Sequence, residues 1–384
     1  MEKWMSIKCE ICGNSSWELL NEGQMISVCS GREVLKNSPL VKGLCTHCGF
    51  VYTLRSPLDE DLDHYYRQVY SSKLKSEVYD YKNYSHGKTF AETLNTFVFS
   101  HSFPQKGRML DIGCGKGFFK EAFYSRYPEW HMEGVDPSVT SIEMARKKVP
   151  TATFYTKNFI GSDYQAGSYD LVCIHAVLNR VPSRMFISEV ERLLKDDGLF
   201  SAEIVIFPQA PFELFFADHT CMYFHEHILA LTEEFHLDLV SEDTKGSKWR
   251  FLFRKISHDK ISRRVELDRQ RENIKDAVKQ IVANWQRVFA KIRTCIAEGK
   301  KVAFYGQGTT LMIILSNTDF PQKLIYGIYD DNPCKVGEQV LETTVQQSSA
   351  AMQAADAIVL CAGPEGIPAM LKTLNNYQGL VIHL

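Results

Sequence analysis

The sequence has no apolar run approaching the roughly 18 residues that cross a bilayer, so no membrane association is expected. Its first residues, from Met1 to Cys9, include Glu2, Lys3 and Lys8 and lack the apolar stretch of a secretion signal. A cytoplasmic location is the expectation. Positive charge is not in excess either: 44 Lys and Arg stand against 46 Asp and Glu, for a formal charge of −2. Nucleic-acid binders usually carry a basic excess or stripe, so a small-molecule partner is expected and nucleic acid is not. The chain also lacks a compact, even set of cysteines. Eleven of them scattered over 384 residues suit a reducing compartment better than a disulfide framework. No short-period repeat or low-complexity tract occurs.

Proline is missing from residues 258–300, and glycine appears there only at Gly299. Ile274, Val278, Ile281, Trp285, Val288, Ile292 and Ile296 recur at a helical period, which predicts one long amphipathic helix. On either side of it the pattern differs. Strand-like apolar runs at Met109–Ile112, Met132–Val135, Leu171–Ile174 and Phe200–Ile206 alternate with helical patterns. That alternation predicts a parallel, doubly wound sheet. A second alternating unit opens at Lys301, with candidate strands at Val302–Tyr305, Leu324–Tyr329, Ala357–Cys361 and Leu380–Leu384. The 384 residues suit two or three domains, and 45% apolar residues are enough to fill their cores.

Before the first unit come two Cys-x-x-Cys pairs, Cys9/Cys12 and Cys45/Cys48, each followed by glycine (Gly13, Gly49). Four thiolates can close a tetrahedral shell around Zn2+, and closed shells of that kind are structural. A small lobe with little core gains folding free energy from such an ion. The plain alternative is four ordinary buried cysteines. His47 is a possible competing ligand.

The run Asp111-Ile112-Gly113-Cys114-Gly115-Lys116-Gly117-Phe118 follows a strand pattern and opens a helix pattern. Its glycines let backbone approach a ligand where a side chain would collide, and the helix start offers free N–H groups to a carboxylate. A glycine-rich run alone is weak evidence. Its position adds weight, because Asp136-Pro137 ends the next strand, 25 residues after Asp111. An acidic side chain there can accept hydrogen bonds from ribose hydroxyls. Asn158-Phe159 follows a third strand and is placed to frame an adenine ring, while His175 ends a fourth. Together these resemble the class I methyltransferase pattern, whose cofactor is S-adenosyl-L-methionine. The expected cofactor residues are Asp111, Gly113, Cys114, Gly115, Phe118, Asp136, Pro137, Asn158, Phe159 and His175.

Three segments jointly resemble the three-domain methyltransferases typified by sugar-nucleotide C-methyltransferases. They are Gly43–Val51 around the second cysteine pair, the cofactor core with Val177-Leu178-Asn179-Arg180-Val181-Pro182, and the C-terminal Asp330-Asp331-Asn332-Pro333-Cys334-Lys335-Val336-Gly337. The resemblance implies an α/β chain with a class I methyltransferase Rossmann-like core, an N-terminal zinc-binding lobe and a C-terminal Rossmann-like domain. The implied boundaries are a zinc-binding domain over 1–70, a methyltransferase domain over 71–257, a linker helix over 258–300 and the C-terminal domain over 301–384. It implies methyl transfer to carbon on a nucleotide-linked keto sugar, after a base has removed a proton beside the ketone.

The family's catalytic stretch reads His-Glu-His-x-x-Tyr-Phe. Here the local sequence is Asp218-His219-Thr220-Cys221-Met222-Tyr223-Phe224-His225-Glu226-His227. Alignment on Tyr223-Phe224 costs one inserted residue and makes His219 the base, with Tyr223 orienting the substrate or stabilising its oxyanion. Alignment on His225-Glu226-His227 is the competing choice. Tyr70, in a tyrosine-rich segment, carries over as a residue closing on the substrate. In the C-terminal lobe, Tyr305–Thr310 is placed to hold a phosphate. The displaced catalytic stretch leaves transfer to nitrogen or oxygen open. So does a different class, a zinc-containing interaction protein with a vestigial methyltransferase fold. The sugar, the methylated atom, the pathway and the oligomeric state are not legible from the sequence.

Overall fold

Alternating strand and helix patterns after Arg108 produce the central sheet. In the computed structural model, the described residues are 6–20, 27–29, 33–35, 40–56, 58, 62–69, 96–256, 264–364 and 366–384. Tyr70 lies outside them.

The N-terminal lobe is built on strands β1 (Trp17–Leu19), β2 (Val41–Cys45) and β3 (Val51–Arg55). The central sheet contains β4 (Arg108–Ile112), β5 (His131–Asp136), β6 (Thr153–Thr156), β7 (Tyr169–His175) and β8 (Leu194–Val205). Between them run helices α1 (Phe118–Arg126), α2 (Val139–Lys148) and α3 (Ser183–Leu193). A two-residue strand β9 (Cys221–Met222), helix α4 (His225–Glu234) and strands β10 (Leu237–Asp243) and β11 (Lys248–Lys255) follow.

The central sheet has the order β10-β11-β8-β7-β4-β5-β6. Strands β4 to β8 pair in parallel, and β11 runs antiparallel to both its neighbours. Strand β7 is fully buried along its middle, as the near-continuous apolar run Leu171–Ile174 requires of a strand covered on both faces. The chain winds from β4 outward to β6, then returns to β7 on the other side of β4. The crevice at the carboxyl ends of β4 and β7 is therefore the topological switch point, where ligands bind in open α/β sheets.

Helix α5 (Arg264–Ala297) runs for 34 residues. Its expected stripe is buried: Ile274, Val278, Trp285, Val288 and Ile292 are at most 3% exposed. Trp285 donates to the Pro211 carbonyl at 3.0 Å and packs edge-on against Phe215, 4.8 Å between ring centres. Burying a large apolar side chain of this kind contributes about 1.5–3 kcal/mol. The C-terminal sheet has the order Gln339–Val340, Thr343–Gln347, β13 (Ile325–Asp330), β12 (Val302–Tyr305), Ala357–Leu360, Leu380–Ile382, with all but the outermost Gln339–Val340 strand parallel. No helix among the described residues is long and apolar enough to cross a membrane.

One feature is absent from the sequence pattern. The N-terminal sheet has the order β1-β2-β3-β9, so a strand from the chain's middle completes the N-terminal lobe. The stretch around His219 is thereby bound to both lobes.

Candidate functional site

The cofactor loop lies at the switch point. Gly113 and Gly115 have φ of +72° and +50°, the left-handed region that glycine enters without strain. A Cβ on Gly113 would collide with Val177, whereas one on Gly115 would meet only open space. The first glycine therefore serves close packing and the second leaves room beside the loop. The Gly113 and Cys114 amides donate to the Val135 carbonyl at 2.8 and 3.1 Å, which ties the loop to β5.

Asp136, at the end of β5, accepts from the Gly115 amide (3.0 Å) through one carboxylate oxygen and from the Ser138 amide (2.8 Å) through the other. Burial raises its carboxyl while those two amides pull it back down. A carboxylate has about four lone-pair sites, so two remain for ribose hydroxyls. Pro137 follows, part-buried. Phe118 opens α1, with the Lys148 ammonium 4.3 Å from its ring centre. Cys114 is buried, and burial pushes its thiol up out of the physiological range.

Asp111 is 2% exposed and pairs at 2.6 Å with Lys120 Nζ, which is fully buried. The sequence reading missed Lys120. Its signal was a lone lysine between Phe119 and Phe123 on the helix face that turns inward. His175 ends β7 with Nε2 3.0 Å from Ser201 Oγ and its ring edge-on to Phe119 at 4.7 Å. Burial pushes its imidazole down to about 4, so the ring is neutral near pH 7. Asn158 is exposed at the same sheet edge. Phe159 instead turns into the core against Phe186 and Tyr164, with ring centres 5.3 and 5.9 Å apart.

The stretch after β8 holds a second buried group of charges. Short turns at Phe207–Gln209 and Pro211–Phe215 lead to His219. Its Nδ1 lies in a short contact with Glu213 Oε2, and the two residues are 3% and 2% exposed. Burial pushes the Glu213 carboxyl up to about 8 and the His219 imidazole well down. The low-polarity setting thus opposes a separated ion pair. Asp218 Oδ2 lies 3.7 Å from Arg180 Nε, and Tyr66 donates to the Asp218 carbonyl at 3.3 Å. The sequence reading missed Glu213, six residues before His219 and outside the family's contiguous motif.

Tyr223 is fully buried, its hydroxyl against Ser183 and donating to the Leu178 carbonyl at 3.3 Å. That setting presents the phenol to the packed core rather than to an acceptor. His225 and His227 lie in the first turn of α4. His225 pairs with Glu242 at 2.6 Å. His227 accepts from the Phe224 amide at 3.2 Å, and its Nε2 sits 3.1 Å from the Cys48 carbonyl. Neither histidine joins the metal-type cluster found among the described residues.

That cluster is Cys9, Cys12, Cys45 and Cys48, with all four Sγ atoms within 4.8 Å of one another. Cys9 and Cys48, and Cys12 and Cys45, stand 3.6 Å apart. A tetrahedral ion with metal–sulfur bonds of about 2.3 Å spaces its ligands about 3.8 Å apart, so the donor set fits Zn2+. In the C-terminal lobe, the Gln307 amide donates to Asp330 at 2.6 Å, closing the loop before helix Thr309–Thr318.

With this geometry in place, comparison with known proteins is informative for the central sheet. Residues 109–198 match the family described as "Methyltransferase domain". A malonyl-[acyl-carrier protein] O-methyltransferase of Legionella pneumophila is 32% identical over 97 residues, covering 24% of this chain and 34% of that protein. A trans-aconitate 2-methyltransferase of Afipia carboxidovorans is 32% identical over 100 residues, 25% of this chain and 38% of that protein. An uncharacterized protein of Rickettsia prowazekii is 26% identical over 128 residues, 27% of this chain and 51% of that protein. The chain spans about half or less of the length of these curated relatives. Among solved structures, geranyl diphosphate C-methyltransferase of Streptomyces coelicolor is 14% identical with a TM-score of 0.39, over 47% of this chain and 85% of that one. The matched segment runs from β4 to the start of β8 and includes the Gly113–Gly117 loop and Asp136.

Proposed function

We propose that the chain is an S-adenosylmethionine-dependent methyltransferase acting on a nucleotide-linked keto sugar or a related polar metabolite, with transfer to carbon. The observation that carries the cofactor reading is the Gly113–Gly117 loop facing Asp136 at the switch point, inside the matched segment. Asp136 takes the ribose hydroxyls. The amides at the start of α1 take the cofactor's carboxylate. When bound, S-adenosylmethionine supplies the electrophilic methyl group.

On the acceptor side, Glu213 holds the His219 ring by its contact with Nδ1, and His219 acts as the base. His219 takes the proton from the carbon beside the ketone; the electron pair left on that carbon would form the new bond to the methyl group as the methyl–sulfur bond breaks, with S-adenosylhomocysteine as the leaving group. Tyr70 closes over the acceptor by resemblance. Tyr223 supports the stretch from within. Cys9, Cys12, Cys45 and Cys48 hold Zn2+, which fixes the N-terminal lobe. The C-terminal lobe shapes the nucleotide side of the cleft, and the four-part division at 70, 257 and 300 is the proposed domain plan. The likeness to a malonyl-carrier O-methyltransferase favours a second reading, transfer to an oxygen, which needs no carbon deprotonation.

The test begins with calorimetric titration of the zinc-loaded protein with S-adenosylmethionine, repeated for Asp136→Ala. Micromolar binding, lost in the variant, is expected. Absence of binding in both proteins would sink the enzyme reading and leave a zinc-containing interaction protein. Turnover of a panel of nucleotide-linked keto sugars, with His219→Asn as control, then separates carbon from oxygen transfer. A large loss of rate at unchanged cofactor affinity marks base catalysis.

A further inference from the structure

Lys42 lies on β2, three residues before the first cysteine of the second pair, and its side chain is fully buried. Its ammonium makes three hydrogen bonds of 2.7 Å, to Thr53 Oγ1, to the Phe216 carbonyl and to the His219 carbonyl. Thr53, on β3, adds a second bond to the His219 carbonyl at 3.2 Å, and its amide takes the Thr220 carbonyl at 2.9 Å. Two strands of the N-terminal lobe therefore grip the turn that carries His219, more than 160 residues away in sequence.

A buried ammonium is costly unless its three donors are satisfied, and a purely structural tie could use a neutral donor. Here the tie is cationic, and the charges it faces are those of the proposed base. Around the Glu213–His219 pair stand Asp218 on the same turn, Arg180 after β7, Lys248 on β11 and Lys42 on β2. From these bonds we infer that Lys42 is a positioning residue: it fixes the turn that carries His219 and, with it, the Glu213–His219 contact. The inference rests on the reading of His219 as the base. It assigns the N-terminal lobe a part in preparing that base, beyond carrying a metal. Burial pushes Lys42 itself down to about 7, opposed by Glu213 and Asp218.

The experiment uses the full zinc-loaded chain with 13C-labelled histidine. The His219 ring resonance, identified by its loss in His219→Asn, is followed against pH in the wild type and in Lys42→Met. The step reporting the Glu213–His219 pair should move by about one pH unit, because the released turn no longer holds the pair in its buried contact. S-adenosylmethionine affinity should stay within about twofold, since the cofactor loop is untouched. An unmoved step overturns the inference, and so does a loss of cofactor affinity that accompanies the shift. If Lys42→Met does not fold, Thr53→Val decides. It keeps the charge and removes one donor to the His219 carbonyl, so amides of 216–222 should exchange several-fold faster than those of β4. Unchanged exchange there overturns the positioning role. Neither readout uses methyl transfer, so an active His219→Asn variant would end the base reading without touching these results.

Discussion

Two lysines among the described residues are buried completely, and their surroundings differ. Lys120 meets a carboxylate, Asp111 Oδ2, at 2.6 Å, nine residues away in the same strand–loop–helix unit. The Lys42 ammonium bonds one hydroxyl and two carbonyls, and the two carbonyls belong to a turn some 175 residues away. The first charge is cancelled on the spot and stiffens a local element. The second ties two strands of the N-terminal lobe to the turn that carries His219. A direct ion pair thus holds the cofactor loop, and the Lys42 ammonium holds a turn that is distant in sequence.

The comparison predicts unequal costs. Lys120→Met leaves Asp111 buried without its counter-charge and should destabilise by about 3–5 kcal/mol, read from the urea midpoint at constant slope. Adding Asp111→Asn should recover much of that loss. If the double variant is no more stable than the single, the pair is not the unit described here. Lys42→Met strands the hydroxyl and the two carbonyls at its ammonium and should cost less, about 1–3 kcal/mol. Equal costs for the two lysines would break the distinction.

Function should divide along the same line. Asp136→Ala removes hydrogen bonds to a charged acceptor and should weaken S-adenosylmethionine at least about tenfold. Glu213→Gln should leave that affinity unchanged and lower turnover by about a hundredfold, the ordinary share of a positioned base. The pH profile carries a sign. The base form of the Glu213–His219 pair is the form that has lost its shared proton, and burial holds that proton up to about 8. The rate should therefore rise as pH passes upward through that region, and the rise should vanish in Glu213→Gln. A profile that falls there instead would mean the pair acts as an acid.

These two regions also differ in how much the sequence disclosed. Asp111, the glycines and Asp136 lie within 25 residues and obey local rules: a strand end, a left-handed turn, a helix start. Local rules are readable in one dimension, and the strand alternation around them made the central sheet legible too. The two cysteine pairs were readable for the same reason, since each pair spans one tight turn. Glu213, Lys42 and the addition of β9 to the N-terminal sheet are products of tertiary packing. No periodicity connects residue 42 to residue 219, so nothing in the sequence marked them as neighbours. Phe159 and Tyr223 show the converse. Both stand where a motif would place a functional ring, and packing against Phe186 and Ser183 absorbs them.

Tyr223 gives the smallest effect and the sharpest limit on the acceptor region. Its hydroxyl is fully buried, set against Ser183 and the Leu178 carbonyl, and burial holds the phenol well above its ordinary range. A phenol that stays protonated and already donates inside the core has no proton to lend an acceptor. Tyr223→Phe keeps the ring and removes only the oxygen, so stability should fall by about 1 kcal/mol. Turnover should then stay within about threefold, because a lost packing contact does not act selectively on the transition state. Ser183→Ala should reproduce the same small loss, and the double variant should cost less than the sum of the two, since both remove one contact. A hundredfold fall in turnover for Tyr223→Phe, with stability intact, would instead place the phenol beside the acceptor. The turn holding His219 would then have to open during the reaction, and the clamp by Lys42 would be the bond it breaks.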